Sequence, residues 1–294
     1  MADENLLQPV LHSIPQERIG SVNITMGYKL SETSLFSLIT ALIDMQRLAA
    51  KNKGKLSIQS LSRILSNPMT AALCADAPKI LEDLRASRRM FPDTAALTDS
   101  KELAVMFSNA TDNLSLLQYL QNVLKALVPV IRERDDDTLF QPLNQESLYR
   151  IYTQINRLYS LMESGSLDIS TETLCRLIRS VLATTTVPFH GEPAVGMQIM
   201  GLIETRNLDF RNVLLLSAQE GTLPKSGQSA SFIPYNIRVA FGLTTMQDKS
   251  AVSSYNFHHL LQRAENVTMV YNGNADAKGI GKGHILFILN PGQS

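Results

Sequence analysis

Residues Val195 to Pro224 read VGMQIMGLIETRNLDFRNVLLLSAQEGTLP. An apolar run, Gly196 to Ile203, leads into a turn charged at Glu204, Arg206 and Asp209. A second apolar run, Asn212 to Ser217, follows, and then a loop carrying Glu220-Gly221 and Leu223-Pro224. Short apolar runs bounded by turn residues read as buried strands. Two such strands joined by a charged loop belong to an α/β layer, and that reading sets the fold class.

Downstream, helical spacing returns from about Ile233 to Phe241 and from Lys249 to Ala264, and NVTMVYN (Asn266 to Asn272) reads as another strand. Strands that alternate with helices predict a parallel sheet. Upstream, the composition changes at ATTTVPFHGEP (Ala183 to Pro193), and before it the pattern is almost purely helical. Helices are expected over Leu56–Leu65 (stopped near Asn67-Pro68), Pro78–Ala86, from Asp99 with Glu102 completing a capping box, from Asp112, over Gln145–Met162 and over Thr171–Leu182. The run from Asp112 carries Leu116, Leu117, Leu120, Val123, Leu124 and Leu127 on one stripe. KNKGK (Lys51 to Lys55) is a basic turn and RERDDD (Arg132 to Asp137) a solvated charged loop. No fixed-period repeat is visible, which argues against a solenoid.

Near the N-terminus, Asn5 to Ser13 reads as a short helix with Leu6, Leu7, Val10 and Leu11 on one face. SVNITMGYKL alternates, with Val22, Ile24 and Met26 on one side and Asn23 and Thr25 on the other, so it reads as a strand. A helix with Leu35, Leu38, Ile39, Leu42 and Met45 on its apolar face follows, capped by Ser31 or Thr33. Strand signals at both ends thus bracket a helical stretch. The expected fold class is α/β, with residues 1–30 and 188–294 forming one discontinuous domain and 31–187 an all-helical insert.

The totals bound the function. The chain has 294 residues, 44% hydrophobic and 18% charged, which suffices for a core and argues against disorder. Lys+Arg and Asp+Glu both number 27, so no global field pulls the chain toward nucleic acid or an anionic membrane, although local basic clusters remain open. The two cysteines, Cys74 and Cys175, are too few and too separated for a zinc cluster, and read as reduced core thiols of a cytoplasmic protein. No apolar run approaches the ~18 residues of a membrane span. The N-terminus lacks a secretory signal pattern. Both ends read as cuts in a longer protein.

Several chemistries find no support. GNADAKGIGKG (Gly273 to Gly283) has the wrong spacing for a phosphate-cradling loop, and no Ser or Thr follows Lys282. PDTAALTDSK (Pro92 to Lys101) mimics a nuclease signature, but Asp99 fits better as a helix cap. His258 and His259 adjoin while His12, His190 and His284 are scattered, so no metal site is expected. No GxSxG elbow occurs.

The opening stretch resembles the fifth conserved motif of UvrD/RecB-type superfamily I helicases. Leu208-Asp209-Phe210 stands for its Leu-Glu-Phe turn, and Glu220-Gly221 with Leu223-Pro224 for its Glu-Gly…Pro loop. YNFHHLLQRAENVTMVYN (Tyr255 to Asn272) resembles the sixth motif, with Gln262-Arg263-Ala264 where that family has Thr-Arg-Ala. The region around SVNITMGYKL and its following helix is similar to the fourth motif and its surroundings. The closest likeness is to the inactivated helicase proteins of the AddB/RecC type, in particular the large PD-(D/E)XK nuclease-family proteins of Bacteroides-like bacteria.

The resemblance implies a RecA-like second helicase lobe with a large helical insert. It implies a vestigial nucleotide site at Arg263, Glu220 and Gly221, because a guanidinium suits phosphate. It places Arg206 near a DNA path, and Lys51, Lys53 and Lys55 are basic candidates on the insert. Departures weigh against catalysis. The family's fourth-motif arginine has no counterpart in ADENLL, the fifth-motif histidine is Ile203, its glycine is Asn207, and the sixth-motif threonine is Gln262. The first lobe is missing, so no catalytic residue, no metal and no cofactor are expected here. ATP and Mg enter only if the parent protein is an active helicase. Other roles stay open: Arg263 as partner of a helix C-terminus or a neighbouring carboxylate, Glu220 as a brace for its own loop, and Arg238 in PYNIR as partner of either Asp209 or Glu220.

Three functions follow as expectations. The first is a non-catalytic DNA-handling part of an AddB-like exonuclease or recombination-repair protein. The second is half of an ATP-driven helicase. The third is a scaffold docking a nuclease domain or partner subunit. The partners expected are single-stranded or tailed duplex DNA, the missing first lobe and nuclease domain of the parent or a helicase subunit, and no membrane.

Overall fold

The computed structural model describes residues 6–15, 22–94, 97, 100–133, 140–188, 196–218 and 233–271. These form a mixed, mostly helical structure with small two-stranded sheets. In chain order the elements are α1 (Leu7–Ser13), β1 (Val22–Ile24), β2 (Tyr28–Lys29), α2 (Ser34–Lys51), α3 (Ile58–Leu65), α4 (Pro68–Leu73), α5 (Ala77–Ala86), α6 (Lys101–Met106), α7 (Asn113–Glu133), α8 (Phe140–Glu163), α9 (Thr171–Thr184), β3 (Thr186–Val187), β4 (Met197–Ile199), β5 (Asn212–Leu216), α10 (Tyr235–Ala240), α11 (Met246–Gln262) and β6 (Asn266–Val270). The chain divides into two compact units, one of Met1–Met26 with His190–Ser294 and one of Gly27–Phe189.

In the helical unit, side-chain caps set many of the boundaries. Thr33 starts α2 by accepting the Phe36 N–H at 3.1 Å, so of the two candidate caps it is Thr33 and not Ser31 that serves. Leu35, Leu38, Ile39, Leu42 and Met45 are buried as their spacing predicts, and Ala41, Ile43, Gln46 and Ala49 join them, so α2 is covered on most sides. Gln46 tolerates burial because its amide donates to Ser108 O at 2.7 Å and accepts the Ala110 N–H at 3.2 Å. The KNKGK turn ends the helix: Lys53 and Gly54 take φ of 54° and 81°, and the Gly54 N–H reaches back to Ala49 O at 2.8 Å.

Asn67-Pro68 is a start as well as a stop. The Asn67 side chain accepts the Met69 N–H at 2.9 Å and Pro68 opens α4, where a missing N–H costs nothing. The expected capping box of Asp99 and Glu102 rests on side chains outside the described ones. The N-cap position of α6 is Ser100, with no side-chain cap. Asp112 does cap α7, accepting the Ser115 N–H at 2.7 Å. Helix α8 begins at Phe140, ahead of the expected Gln145. The solvated-loop reading of RERDDD falls largely outside the described residues, but Arg132 and Glu133 continue α7.

Helix α7 also corrects the expectation about membrane length. Asn113–Arg132 is long and apolar enough to cross a membrane by length and composition, with mean hydropathy 1.3. Its stripe of Leu116, Leu117, Leu120, Val123, Leu124 and Leu127 is buried, and the helix packs on α8, the behaviour of a core helix. Gln121 Nε2 donates to Asn156 Oδ1 between the two helices at 3.1 Å. A second cluster gathers Leu61, Leu65, Leu81, Leu84, Leu97 and Leu103 around α3, α5 and α6.

Two features tie distant parts of this unit together. Strands β2 and β3 pair antiparallel, Tyr28 with Val187 and Lys29 with Thr186, a sheet too short to leave a periodic signal. Gly27 is needed there, since a Cβ on it would lie 3.1 Å from Thr186 Cβ. Asp44 on α2 gathers three guanidiniums: Arg179 of α9 at 2.6 Å, Arg47 at 3.3 Å and Arg63 of α3 at 3.5 Å.

In the other unit, β1 pairs parallel with β4, from Val22↔Met197 to Ile24↔Ile199. The strand expected over Gly196–Ile203 therefore stops at Ile199, because Gly201 to Asn207 fold into turns. Asn23, on the side opposite Val22 and Ile24, is buried too, and its amide donates to Gln198 Oε1 on the paired strand at 2.7 Å. Strands β5 and β6 pair parallel over five residues, Asn212↔Asn266 to Leu216↔Val270, with α10 and α11 in the connection that a parallel pair requires. Among the described residues these are two separate ladders and not the continuous parallel sheet the alternation predicts. Among the described residues β5 is covered on one side: Leu215 and Met269 pack on Phe257 and Leu261 of α11, while Leu214 is 61% exposed. A cavity of about 690 Å3 opens between β4 and β5, lined by Ile199, Met200, Leu214 and Thr268 among others.

Candidate functional site

The charged turn between β4 and β5 is built by its own side chains. Glu204 Oε2 accepts the Gly201 N–H at 2.7 Å and the Thr25 hydroxyl at 2.8 Å, fastening the turn to the end of β1. The Thr205 hydroxyl donates to Leu202 O at 2.8 Å, and the Leu208 N–H to Thr205 O at 3.1 Å. Asn207 sits at φ 60°, in the left-handed region, where Asn is among the few non-glycine residues that enter readily. Ile203, Arg206 and Leu208 are left exposed on the turn.

The turn runs directly into the start of β5, and the end of α11 runs directly into the start of β6. Because β5 and β6 are parallel and in register from their first residues, both junctions lie at the same edge of the ladder. Arg263, the residue after α11, donates through Nη1 to Asp209 Oδ2 at 2.6 Å. Arg211 Nε lies 3.2 Å from Glu265 Oε1. The Glu265 and Asn266 N–H groups both donate to Arg211 O, at 2.9 and 3.1 Å, and Asn266 Nδ2 donates to Asn212 Oδ1 at 2.9 Å. The two stretches that carry the helicase resemblance are thus joined along one edge.

Magnitudes decide what this edge can do. Arg263 and Asp209 are 72% and 46% exposed as side chains, so their pair contributes no more than about 1 kcal/mol to folding. An exposed ion pair of that strength can exchange partners, and an incoming phosphate oxygen would compete for the guanidinium on similar terms. The helix leading to Arg263 is held from its far end by a capping box, with the Thr245 hydroxyl accepting the Asp248 N–H and Asp248 Oδ2 accepting the Thr245 N–H at 2.7 Å. The Thr245 N–H, and the Thr245 hydroxyl donating to the same Asp248 oxygen at 2.8 Å, hold the Asp248 carboxyl below the usual carboxylate range.

The residues singled out in the sequence fall in different places. Arg206 and Arg263 stand on the same unit, Arg206 exposed and Arg263 paired with Asp209. Glu220 and Gly221 lie outside the described residues. Lys51, Lys53 and Lys55 are exposed around the end of α2 on the helical unit. Arg238, a candidate partner for Asp209 or Glu220, donates to Thr244 O at 2.7 Å; Arg263 holds the Asp209 carboxylate, and the Glu220 alternative lies outside the described residues. Among the described residues no group of three or more His, Cys, Asp or Glu side chains is placed to hold a metal. His258 and His259 sit against the rings of Phe257 and Tyr255.

Sequence reasoning does not single out Glu204 as a brace or the Arg211–Glu265 pair. The spacing of Glu204 three residues after Gly201, as in a cap, is the available signal for the first. The second joins residues far apart in the chain and leaves no local signature. Comparison with protein families finds no match, and comparison with curated proteins finds none either.

Proposed function

We propose that the chain is a non-catalytic, DNA-handling module: a RecA-like second helicase lobe carrying a helical insert, within an AddB/RecC-type exonuclease or recombination-repair protein. The observation that supports this most is the shared edge of β5 and β6. There the Leu208-Asp209-Phe210 turn and the Arg263 junction, the parts of the sequence that resemble the fifth and sixth helicase motifs, are linked by the Arg263–Asp209 pair. The exposed Arg206 on the same turn supplies a cation for a phosphate backbone. Lys51, Lys53 and Lys55 supply others on the helical unit. Arg263 is engaged by Asp209 of its own unit, in an exposed pair that a phosphate oxygen can enter by exchange. In this reading the chain needs no cofactor; ATP and Mg belong to a first lobe, should the parent protein carry a working one. Arg206→Glu is the direct test. Weaker binding of labelled single-stranded and tailed duplex DNA is expected, and equal binding by the variant would reject a DNA path at this turn.

One observation favours a second reading, a scaffold that docks a nuclease domain or partner subunit. Helix α10 buries none of its residues, and Ile237, Val239 and the following Phe241 are 48%, 54% and 77% exposed. Apolar surface of that kind marks an interaction site. Replacing Ile237 and Phe241 with Ser would abolish partner capture in this reading and leave DNA binding unchanged.

A further inference from the structure

The helical unit carries a basic concavity that the helicase resemblance does not account for. It has a volume of about 420 Å3 and lies between the end of α5 and the start of α3, with Arg85, Arg88 and Arg89 in its lining. Arg85 occupies the last turn of α5, where a cation is favourable beside the carbonyl end of a helix. That accounts for Arg85 alone. Arg88 and Arg89 lie beyond the helix, on a turn in which the Arg88 N–H donates to Arg85 O at 3.0 Å and Arg88 itself takes φ 51°. This backbone brings the third and fourth residues after Arg85 to the same hollow.

The facing wall is the start of α3. The Ile58 N–H donates to Met90 O at 2.9 Å, which fastens the arginine turn to that helix. Ser57 accepts the Ser60 N–H on its hydroxyl at 3.2 Å and the Leu61 N–H on its carbonyl at 3.0 Å. The Gln59 N–H, also on the lining, has no acceptor among the described residues. Arg85 spends one N–H on the Ser62 hydroxyl. No carboxylate among the described residues forms an ion pair with Arg85, Arg88 or Arg89, although Glu82 and Asp83 stand exposed on α5. The contrast with Asp44 is direct: there three guanidiniums meet a carboxylate, and here three arginines line an open hollow.

We propose that Arg85, Arg88 and Arg89, with the start of α3, form a phosphate site that takes the backbone of single-stranded DNA. The inference rests on the DNA-handling reading and assigns it a binding point on the helical unit. Guanidiniums grip phosphate oxygens bidentately. The lining offers no aromatic ring for base stacking, so the site holds backbone and is indifferent to sequence.

The test uses the full chain and two labelled oligonucleotides, an oligo-dT and a mixed sequence, by fluorescence anisotropy across a salt series. Arg88→Ala/Arg89→Ala should bind both about tenfold more weakly, and the slope of log K against log salt should shrink by about 1.4, at roughly 0.7 for each phosphate that is no longer neutralised. Arg88→Lys/Arg89→Lys should recover most of the slope. Unchanged circular dichroism shows that the variants fold. If wild type binds and the alanine variant matches it in affinity and slope, the arginine site is wrong while the DNA-handling reading stands. If wild type binds neither oligonucleotide at the lowest salt, both fall.

Discussion

Arg263 and Asp209, 54 residues apart in sequence, meet at 2.6 Å where α11 passes into β6 and the charged turn passes into β5. Both side chains are largely exposed, and the pair therefore aligns the edge of the ladder more than it stabilises the fold. Replacing Arg263 with Ala should lower stability by no more than about 1 kcal/mol in urea denaturation. A loss several times larger would mean that the pair is a structural anchor and not an exchangeable surface interaction.

Asn207 at φ 60° gives a second prediction. Asn207→Gly should be neutral to within about 0.5 kcal/mol, since glycine enters the left-handed region without strain, whereas Asn207→Ala should cost about 1 kcal/mol. Equal stability of the two variants, measured by denaturant midpoint, would show that the turn relaxes out of that conformation.

Much of the local structure is legible in the sequence because caps and periodicity act over a few residues. Thr33, Ser57, Ser170 and Asp112 accept N–H groups within the next three residues, and the stripes of α2 and α7 are buried as their spacing requires. What depends on distant partners is not legible. Asn23 is buried because Gln198 meets it on a neighbouring strand, and the strand after Gly196 ends early because Glu204 folds the next turn onto Gly201 and Thr25. The two-residue β2–β3 pairing has no pattern to read. At the candidate site, Arg206, Asp209 and Arg263 are visible as charges in apolar surroundings, but the sequence leaves Arg238 as a candidate partner for Asp209, and only the register of β5 with β6 assigns it Arg263.

The Asp44 cluster makes a third prediction. Its carboxylate accepts from Arg47, Arg63 and Arg179, joining α2 to α3 and α9. Asp44→Ala leaves the guanidiniums of Arg47 and Arg179 without that acceptor, and the Nε atoms of both are already buried without a partner. A drop in stability of about 1 to 3 kcal/mol is expected by denaturant titration. A neutral result would mean that water replaces the carboxylate without penalty.

Two capping carboxylates set a pH dependence. Backbone and side-chain hydrogen bonds from Ser115 hold Asp112 below its ordinary range, and those from Thr245 do the same for Asp248. A depressed folded-state pKa gives stability that is fully present above the unfolded value, near ~3.9, and is lost as the pH falls through the folded one. The melting temperature of wild type should therefore drop more between pH 5 and pH 2 than that of Asp112→Ala/Asp248→Ala. Parallel curves would show that neither cap is linked to folding.

The proposal that this chain handles DNA is open to one direct measurement. It is the fluorescence anisotropy of labelled single-stranded and tailed duplex DNA against the unaltered chain, from low to physiological salt. Binding at low salt that weakens steeply as salt rises is the predicted result, as neutralised phosphates require. No binding of either DNA at the lowest salt would contradict it.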